Sequence, residues 1–575
     1  MTAPLPNALA ATRGLVIALG SVTGLALLVG SLPWLGGDDP AQTVLRARSA
    51  ERELDPAVLA AVRRDAGIPD DPVSGALGWL ADAAHGDLGR SWVTGSPVAQ
   101  SIAQPLGISV TLAVSAAAVC LICALLLLAP SLRRAADSGA GVGGGALAAG
   151  ALLAALPEFL VATALLTVVA VHLGIAPTSG WSGPANVPLP ALALGLPAAG
   201  VLSRVLSGAI DATLTEPWVR TWRAAGFRRS ATAAAVLRRA VAVALPQLVL
   251  LFVGLLGSGI VVEALFAIPG LGGTALQAVL AQDLPVVQAC VALLALIGLG
   301  LGAAGMLAHR RLLGPAMRDG ALTPSATGGS DHPRWALAVA ALLTALVVAG
   351  LLRDPSAIAL GERLQPPSSA SPLGTDALGR DLLARFGHGA LLSVGASLAI
   401  SAIALALGLL VGASRTRGLA GAAEVLNAVP PVLAGIIAAA VAGPGLLGAA
   451  TAVCAVAWIP LAVHARTLAA EVRAAGFVRA ARALGAGRGR ILLRHVLPAI
   501  LPPLLRHALV RVPHNALALA GLGFLGLAAP HDSAEWGAML AGALPYAESA
   551  PWAVAVPALG LSLLGLVSGL SRATR

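Results

Sequence analysis

Ionisable side chains set inside apolar runs are the residues of this sequence whose types could do chemistry. Glu158, Glu263 and Glu424 are acids in such runs, and Arg506, His507, Arg511 and His514 form a basic set in one of them. His507, Arg511 and His514 stand at i, i+4 and i+7, so they share one face of a helix. A charge held in hydrocarbon is costly and usually faces a cavity or another charge. The chemistry open to these seven residues is ion pairing, with one another or with a passing solute, which makes them candidates for the wall of a path. A structural ion pair, or side chains reaching to the interface, is the alternative for the basic face. Covalent chemistry has no support: no His/Cys set has metal-ligand spacing, and there is no nucleophile elbow or paired carboxylate in a polar setting. No catalytic residue and no metal ligand is assigned. Cys120-x-x-Cys123 lies in an apolar run and reads as packing residues.

A second set of residues is repeated. The Arg-rich loop from Val219 to Pro246 recurs as Val478 to Pro498, with Gly226 and Gly485 at matching places 259 residues apart. Each loop calls for a short helix lying along a membrane face, a sharp turn, and a return into the bilayer. Gly226 and Gly485 can take the positive φ such a turn needs. In the second copy Arg479, Ala480 and Ala481 open the loop, the alanines small enough to lie close in a groove. Leu497-Pro498 starts the next helix, where the missing donor of proline costs little. In the first copy Arg220, Thr221, Trp222 and Arg223 precede the turn, and Leu245-Pro246 comes several residues late. One such loop alone reads as a positive-inside anchor. Two, one in each half, suit a chain that takes force from a soluble motor.

The elements that must carry these residues follow from composition. Hydrophobic residues make up 57% of the 575 and charged residues 11%, which excludes a soluble core of ordinary surface-to-volume ratio. Twelve stretches are apolar over the ~20 residues a spanning helix needs. They lie near 13–34, 106–129, 146–172, 187–206, 240–263 and 285–307, then 335–352, 389–413, 419–441, 444–465, 497–526 and 551–570. The opening run reads as a retained helix. All 37 basic residues are Arg, and they sit in short loops on alternating sides of these helices, which assigns one face and both termini to the cytoplasm. The formal charge of +10 therefore sets orientation, and nucleic acid is not an expected partner. The opposite face receives segment 35–104, whose patterning is helical at 56–66 and 73–83, as expected of a small folded cap. Pro502, Pro503 and Pro513 are expected to interrupt the eleventh helix. The domain reading is 1–313, with the cap at 35–104, a polar cytoplasmic linker at 314–333, and 334–575.

The second loop follows the spacing of the EAA loop of binding-protein-dependent ABC importers, through Arg479-Ala480-Ala481, Gly485 and His495-Val496-Leu497-Pro498. Neither copy has the Glu of that family. The first half resembles one permease of dipeptide, oligopeptide and nickel importers through Asp38-Asp39-Pro40, Gly86-Asp87-Leu88-Gly89-Arg90-Ser91, Ile268-Pro269-Gly270-Leu271-Gly272 and Asp283-Leu284-Pro285-Val286-Val287-Gln288. The second half is similar to the partner permease through Pro372-Leu373-Gly374-Thr375-Asp376-Ala377-Leu378-Gly379-Arg380-Asp381, Arg494-His495-Val496-Leu497-Pro498, Phe524-Leu525-Gly526-Leu527 and Glu535-Trp536-Gly537-Ala538-Met539-Leu540. In that family Glu263 and Glu424 fall at acidic positions, while Glu158 and the basic set depart from the pattern.

The resemblance implies an all-α polytopic membrane protein of two tandem six-helix type I ABC importer transmembrane domains fused in one chain, about twelve helices in all, in a bacterial cytoplasmic membrane. It implies two ABC ATPase subunits, an extracytoplasmic solute-binding protein and membrane lipid as partners. The expected function is inward transport of short peptides by alternating access. A nickel or metallophore permease is the alternative in the same class, and a gradient-driven secondary transporter the alternative outside it. A P-loop needs a Lys and this chain has none, so ATP and Mg are expected on the partner ATPases and no cofactor on this chain.

Overall fold

The computed structural model describes residues 23–24, 26–35, 39–48, 55–65, 68–69, 71–138, 141–318, 333–413, 431–530 and 532–570. Glu424, most of the linker and half of the opening run lie outside them.

Long apolar runs can satisfy their backbone groups in hydrocarbon only as helices or closed barrels, and this sequence makes helices. In chain order they are α1 (Pro40–Arg48), α2 (Pro56–Asp65), α3 (Pro72–Ala84), α4 (Val98–Ser138), α5 (Gly144–Ala155), α6 (Glu158–Leu165), α7 (Pro188–Leu214), α8 (Pro217–Ala224), α9 (Arg229–Leu265), α10 (Leu271–Leu280) and α11 (Leu284–Arg318). They continue as α12 (Pro333–Leu351), α13 (Leu382–Ala413), α14 (Pro431–Ala442), α15 (Leu446–Ala474), α16 (Gly476–Ala483), α17 (Arg488–Ile491), α18 (Leu497–Phe524), α19 (Trp536–Ala543) and α20 (Pro551–Leu570). Seven helices among the described residues are long and apolar enough to cross a membrane, or eight if one bent pair counts as a single span. That pair is α5 and α6, bent by 86°. Stretch 146–172, continuous in hydropathy, thus breaks at Pro157, whose ring and missing N–H oppose an unbroken helix. By contrast α18 runs through Pro502, Pro503 and Pro513 without a break.

Contacts divide the chain into two compact units. Unit 1 joins 1–105, 274–295 and 391–533, and unit 2 joins 106–273, 296–390 and 534–575. Each draws on both halves of the sequence.

Within unit 1, α14 packs on α15 and α15 on α18. Buried polar groups pin the elements: Asn515 Nδ2 donates to Ser401 Oγ at 2.9 Å. Gln288 Nε2 donates to the carbonyls of Val29 and Gly30, each at 3.0 Å. Asp283 accepts from the Ser91 hydroxyl and from Trp92 N, the latter at 2.9 Å. These last contacts join two motifs that lie 192 residues apart in sequence. At the start of α3, Asp71 caps Val73 N and Ser74 N, and its hydrogen bonds with Ser74 hold its carboxyl below the usual carboxylate range.

Within unit 2, α7 packs against α5, α6 and α9, and α12 against α20. Gly200 makes the α7–α5 approach close, since a Cβ there would lie 2.3 Å from Ala154 N. Trp536 Nε1 donates to Phe386 O at 3.1 Å while the two rings stack at 5.0 Å. The 353–385 region is held by Arg353 on Asp381 at 2.5 Å and by Arg380 and Arg385 on Asp376 at 2.7 and 2.9 Å.

Candidate coupling loops and membrane-embedded charges

The first loop is built on α8 in unit 2. Glu216 precedes it in an extended conformation and Pro217 opens it, a position where a missing N–H is no loss. Val219 is fully buried and fixes the inner face. At the far end Phe227 N donates to Trp222 O and Gly226 N to Arg223 O, both at 3.1 Å, with Gly226 at φ +74°. That is the double bond pattern of a Schellman cap, and its usual apolar contact is present as Trp222 stacked on Phe227 at 4.7 Å. Arg228 then caps α9 through its carbonyl, which accepts from Thr232 N at 3.1 Å.

The second loop, α16 in unit 1, repeats this geometry residue for residue. Ala475 precedes it in an extended conformation, and Val478 is fully buried. Ala486 N donates to Ala481 O and Gly485 N to Arg482 O, both at 3.0 Å, with Gly485 at φ +85°. An L-residue pays roughly 1–2 kcal/mol in this left-handed region, which is why glycine stands at both turns. Arg220 and Arg479 are exposed on the two helices, as is Ala480, while Arg223 and Ala481 are half-buried. Leu497 and Pro498 begin α18 directly after a π turn over Leu492–Val496. The π turn shifts the buried stripe by one residue. Val236, Ala240, Ala244 and Leu248 of α9 are buried, and their counterparts in the second copy are Val496, Ile500, Leu504 and Ala508.

The embedded charges separate into different settings. Glu158 is half-buried at the first position of α6, at the bend of the broken pair. Glu263 is 4% exposed near the end of α9. Its carboxylate accepts from Ser109 Oγ of α4 at 2.5 Å and from Gly273 N at 3.0 Å, and Ser109 Oγ accepts in turn from Leu271 N at 2.8 Å. A Cβ on Gly270 would lie 2.3 Å from this carboxylate, so Glu263 fixes the turn between α9 and α10. On α18, Arg506 and His514 are exposed, and His507 and Arg511 are half-buried. His507 stacks on His464 of α15, rings 5.0 Å apart and 30° from parallel. His464 carries no signal in the sequence beyond being a histidine in an apolar run; only the packing of α15 on α18 singles it out. Glu216, whose Oε2 accepts from Trp218 Nε1 at 2.7 Å and whose Oε1 accepts from Arg239 Nε at 3.3 Å, was also invisible as an anchor before the fold.

An all-α multi-pass membrane chain with a repeated helix–turn–helix loop is the architecture of a transport permease. The family described as binding-protein-dependent transport system inner membrane component matches it twice, over residues 149–319 and 399–573, and the chain belongs to that family. Its second matched region ends 254 residues after the first, so two permease domains stand in tandem. The chain is 29% identical over 291 residues to the metal-staphylopine import system permease CntB of Staphylococcus aureus, covering 50% of this chain and 92% of that protein. It is 38% identical over 228 residues to the probable D,D-dipeptide transport system permease DdpC of Escherichia coli, covering 37% and 76%. To the nickel transport system permease NikC of Escherichia coli it is 33% identical over 244 residues, covering 40% and 87%.

Proposed function

We propose that this chain supplies both permease halves of an ATP-driven importer that carries short peptides inward across the cytoplasmic membrane. Two separate ATPase subunits engage the loops around Gly226 and Gly485, and ATP-driven closure of those subunits rotates the helices behind each loop. A loaded solute-binding protein docks on the opposite face, where segments 35–104 and 353–388 lie, and both termini are cytoplasmic. The observation that carries this reading is the identical Schellman geometry of the two loops. A helix pinned by one buried valine, ending in a fixed turn and feeding directly into a long membrane helix, transmits displacement as a rigid lever. The solute crosses without covalent chemistry in this chain, so the work is a population shift between two arrangements of the helices.

A metal-chelate solute is the second reading in the same class, favoured by likeness to the staphylopine and nickel permeases. The test is ATP-driven uptake into proteoliposomes containing the chain, its ATPases and its binding protein, with labelled dipeptides against a labelled nickel chelate. Within the same preparation, Gly485→Val should leave membrane insertion intact and abolish solute-stimulated ATP hydrolysis. Normal stimulation in that variant would refute the coupling role.

A further inference from the structure

Three large apolar side chains of unit 2 stand out just past the end of α12. Leu352 is 83% exposed, Ile358 61% and Leu360 64%. The segment that carries them is held by hydrogen bonds. Arg353 N donates to Gly350 O at 3.1 Å, which carries the last turn of α12 through Leu352. Ala359 N donates to Leu378 O at 3.2 Å and Leu364 N to Asp376 O at 3.1 Å, so the backbone on both sides of Leu360 is tied to 376–378. The approach is close enough that a Cβ on Gly379 would collide with Ala359 O. Ile358 and Leu360 flank this pinned residue, so the fold itself holds them out. Large apolar side chains presented in this way mark a surface made for an apolar partner.

The helix before them identifies that partner. Arg334–Leu351 is long and apolar enough to cross a membrane, and only 11% of it is buried, so most of its surface is left for lipid. Its packed side is fixed by Gly350, where a Cβ would lie 2.2 Å from Leu383 O of α13. Leu352 is two positions and about 200° further round the turn, so it continues the opposite, lipid side of α12. The 18 residues of the span rise about 27 Å, short of the ~30 Å of hydrocarbon they must cross. Trp335, exposed in the first turn of α12, marks one interface as an aromatic belt residue does. The shortfall therefore falls at the other end, where Leu352 stands. A span shorter than the hydrocarbon needs its flanks to adapt, and here the flank is apolar. Asp354 and Glu362, both exposed, keep the segment from going deeper, because carboxylates stay with the headgroups and water.

We propose that Leu352, Ile358 and Leu360 are seated among lipid acyl chains at the membrane interface and anchor the 353–381 region to the bilayer. The inference rests on α12 spanning the membrane and is independent of which solute the chain carries. The lipid edge is confined to 352–360, and the docking proposed for 353–388 falls to the rest of that segment.

The experiment uses the full chain in phosphatidylcholine nanodiscs, with a fluorescent label on Leu352→Cys, Ile358→Cys or Leu360→Cys and the unaltered chain as background for its own four cysteines. Ser369→Cys, at an exposed polar position of the same region, is the comparison. Replacing the lipid by phosphatidylcholine brominated near the headgroup end of its chains should quench the labels at 352, 358 and 360. Bromines at the chain ends should quench them about twofold less, as expected of side chains buried ~5–10 Å at the interface. Three positions are read separately, so a label that disturbs one of them does not decide the result. Quenching at 358 and 360 no greater than at 369 overturns the anchor, and quenching strongest from the chain ends overturns its interfacial depth. Labels that ignore brominated lipid but become shielded from aqueous iodide when the solute-binding protein is added would make this edge a protein-docking surface, which also overturns the proposal.

Discussion

The two loops share a backbone and differ in what surrounds it. In the first, Glu216 holds Trp218 and Arg239, and Trp218 meets Trp222 edge-on at 5.4 Å, so an anchored aromatic ladder runs from before the helix to Phe227 after it. In the second, Ala475 takes the place of Glu216, Ala481 of Trp222 and Ala486 of Phe227. The one aromatic that remains, Phe477, lies 5.9 Å from His495, and Leu484 beside the turn is 88% exposed. The common features are therefore those needed to transmit displacement: a buried valine, a left-handed glycine and a capped return. The side chains that differ are those a partner would touch. The first loop is broad and internally braced, while the second is slim and leaves an apolar side chain uncovered.

The largest effect should come from the shared turn. Gly226→Val and Gly485→Val should each abolish solute-stimulated ATP hydrolysis, because a β-branched residue at positive φ costs more than the roughly 1–2 kcal/mol of an ordinary L-residue. If only one of the pair loses stimulation, the loops are not mechanical equivalents. Next come the buried anchors. Val219→Ala and Val478→Ala should cost about 2 kcal/mol each from lost methyl burial and the space left behind, read as matched falls in thermal midpoint in detergent. Glu216→Ala should weaken the first loop by about 1 kcal/mol, because two charge-assisted hydrogen bonds go but the pair is partly solvated. Coupling measured as stimulated ATPase rate should fall several-fold there, and Ala475→Glu should not create an equivalent anchor in the second. The smallest effect on stimulated ATPase rate is expected of Trp222→Ala with Phe227→Ala, which removes a stacked pair worth roughly 0.5–1.5 kcal/mol beyond the area it buries and converts the first loop to the composition of the second. Unchanged ATPase binding in that double variant would show that the breadth of the first loop is not read by its partner.

The sequence declared the loops because their requirement is local. A glycine that must turn left and arginines that must stay out of hydrocarbon are visible one residue at a time, and Gly226 and Gly485 are at φ +74° and +85°. Of the twelve expected spans, seven, or eight with the bent pair, are long and apolar enough among the described residues and were legible for the same reason, as was the helical character of 56–65 and 72–84. What stayed hidden depends on a neighbour far away in the chain. His464 becomes relevant only because α15 packs on α18, and the Ser109–Glu263 contact spans 154 residues. Hydropathy averages over a window, so it could not see the 86° bend at Pro157, nor the π turn at 492–496 that shifts the buried stripe by one residue. Pro502, Pro503 and Pro513, which suggested an interrupted helix, are carried inside a continuous one.

The interleaving of the units has a consequence for biosynthesis. Unit 1 needs residues up to 533 and unit 2 needs residues up to the C-terminal helix. A ribosome that has released only the first 313 residues has completed neither, and the helices it has already inserted must wait in the bilayer for their packing partners. Having all the segments on one polypeptide makes that wait an intramolecular search at high effective concentration, and ensures that the two sets of segments are always produced in equal number.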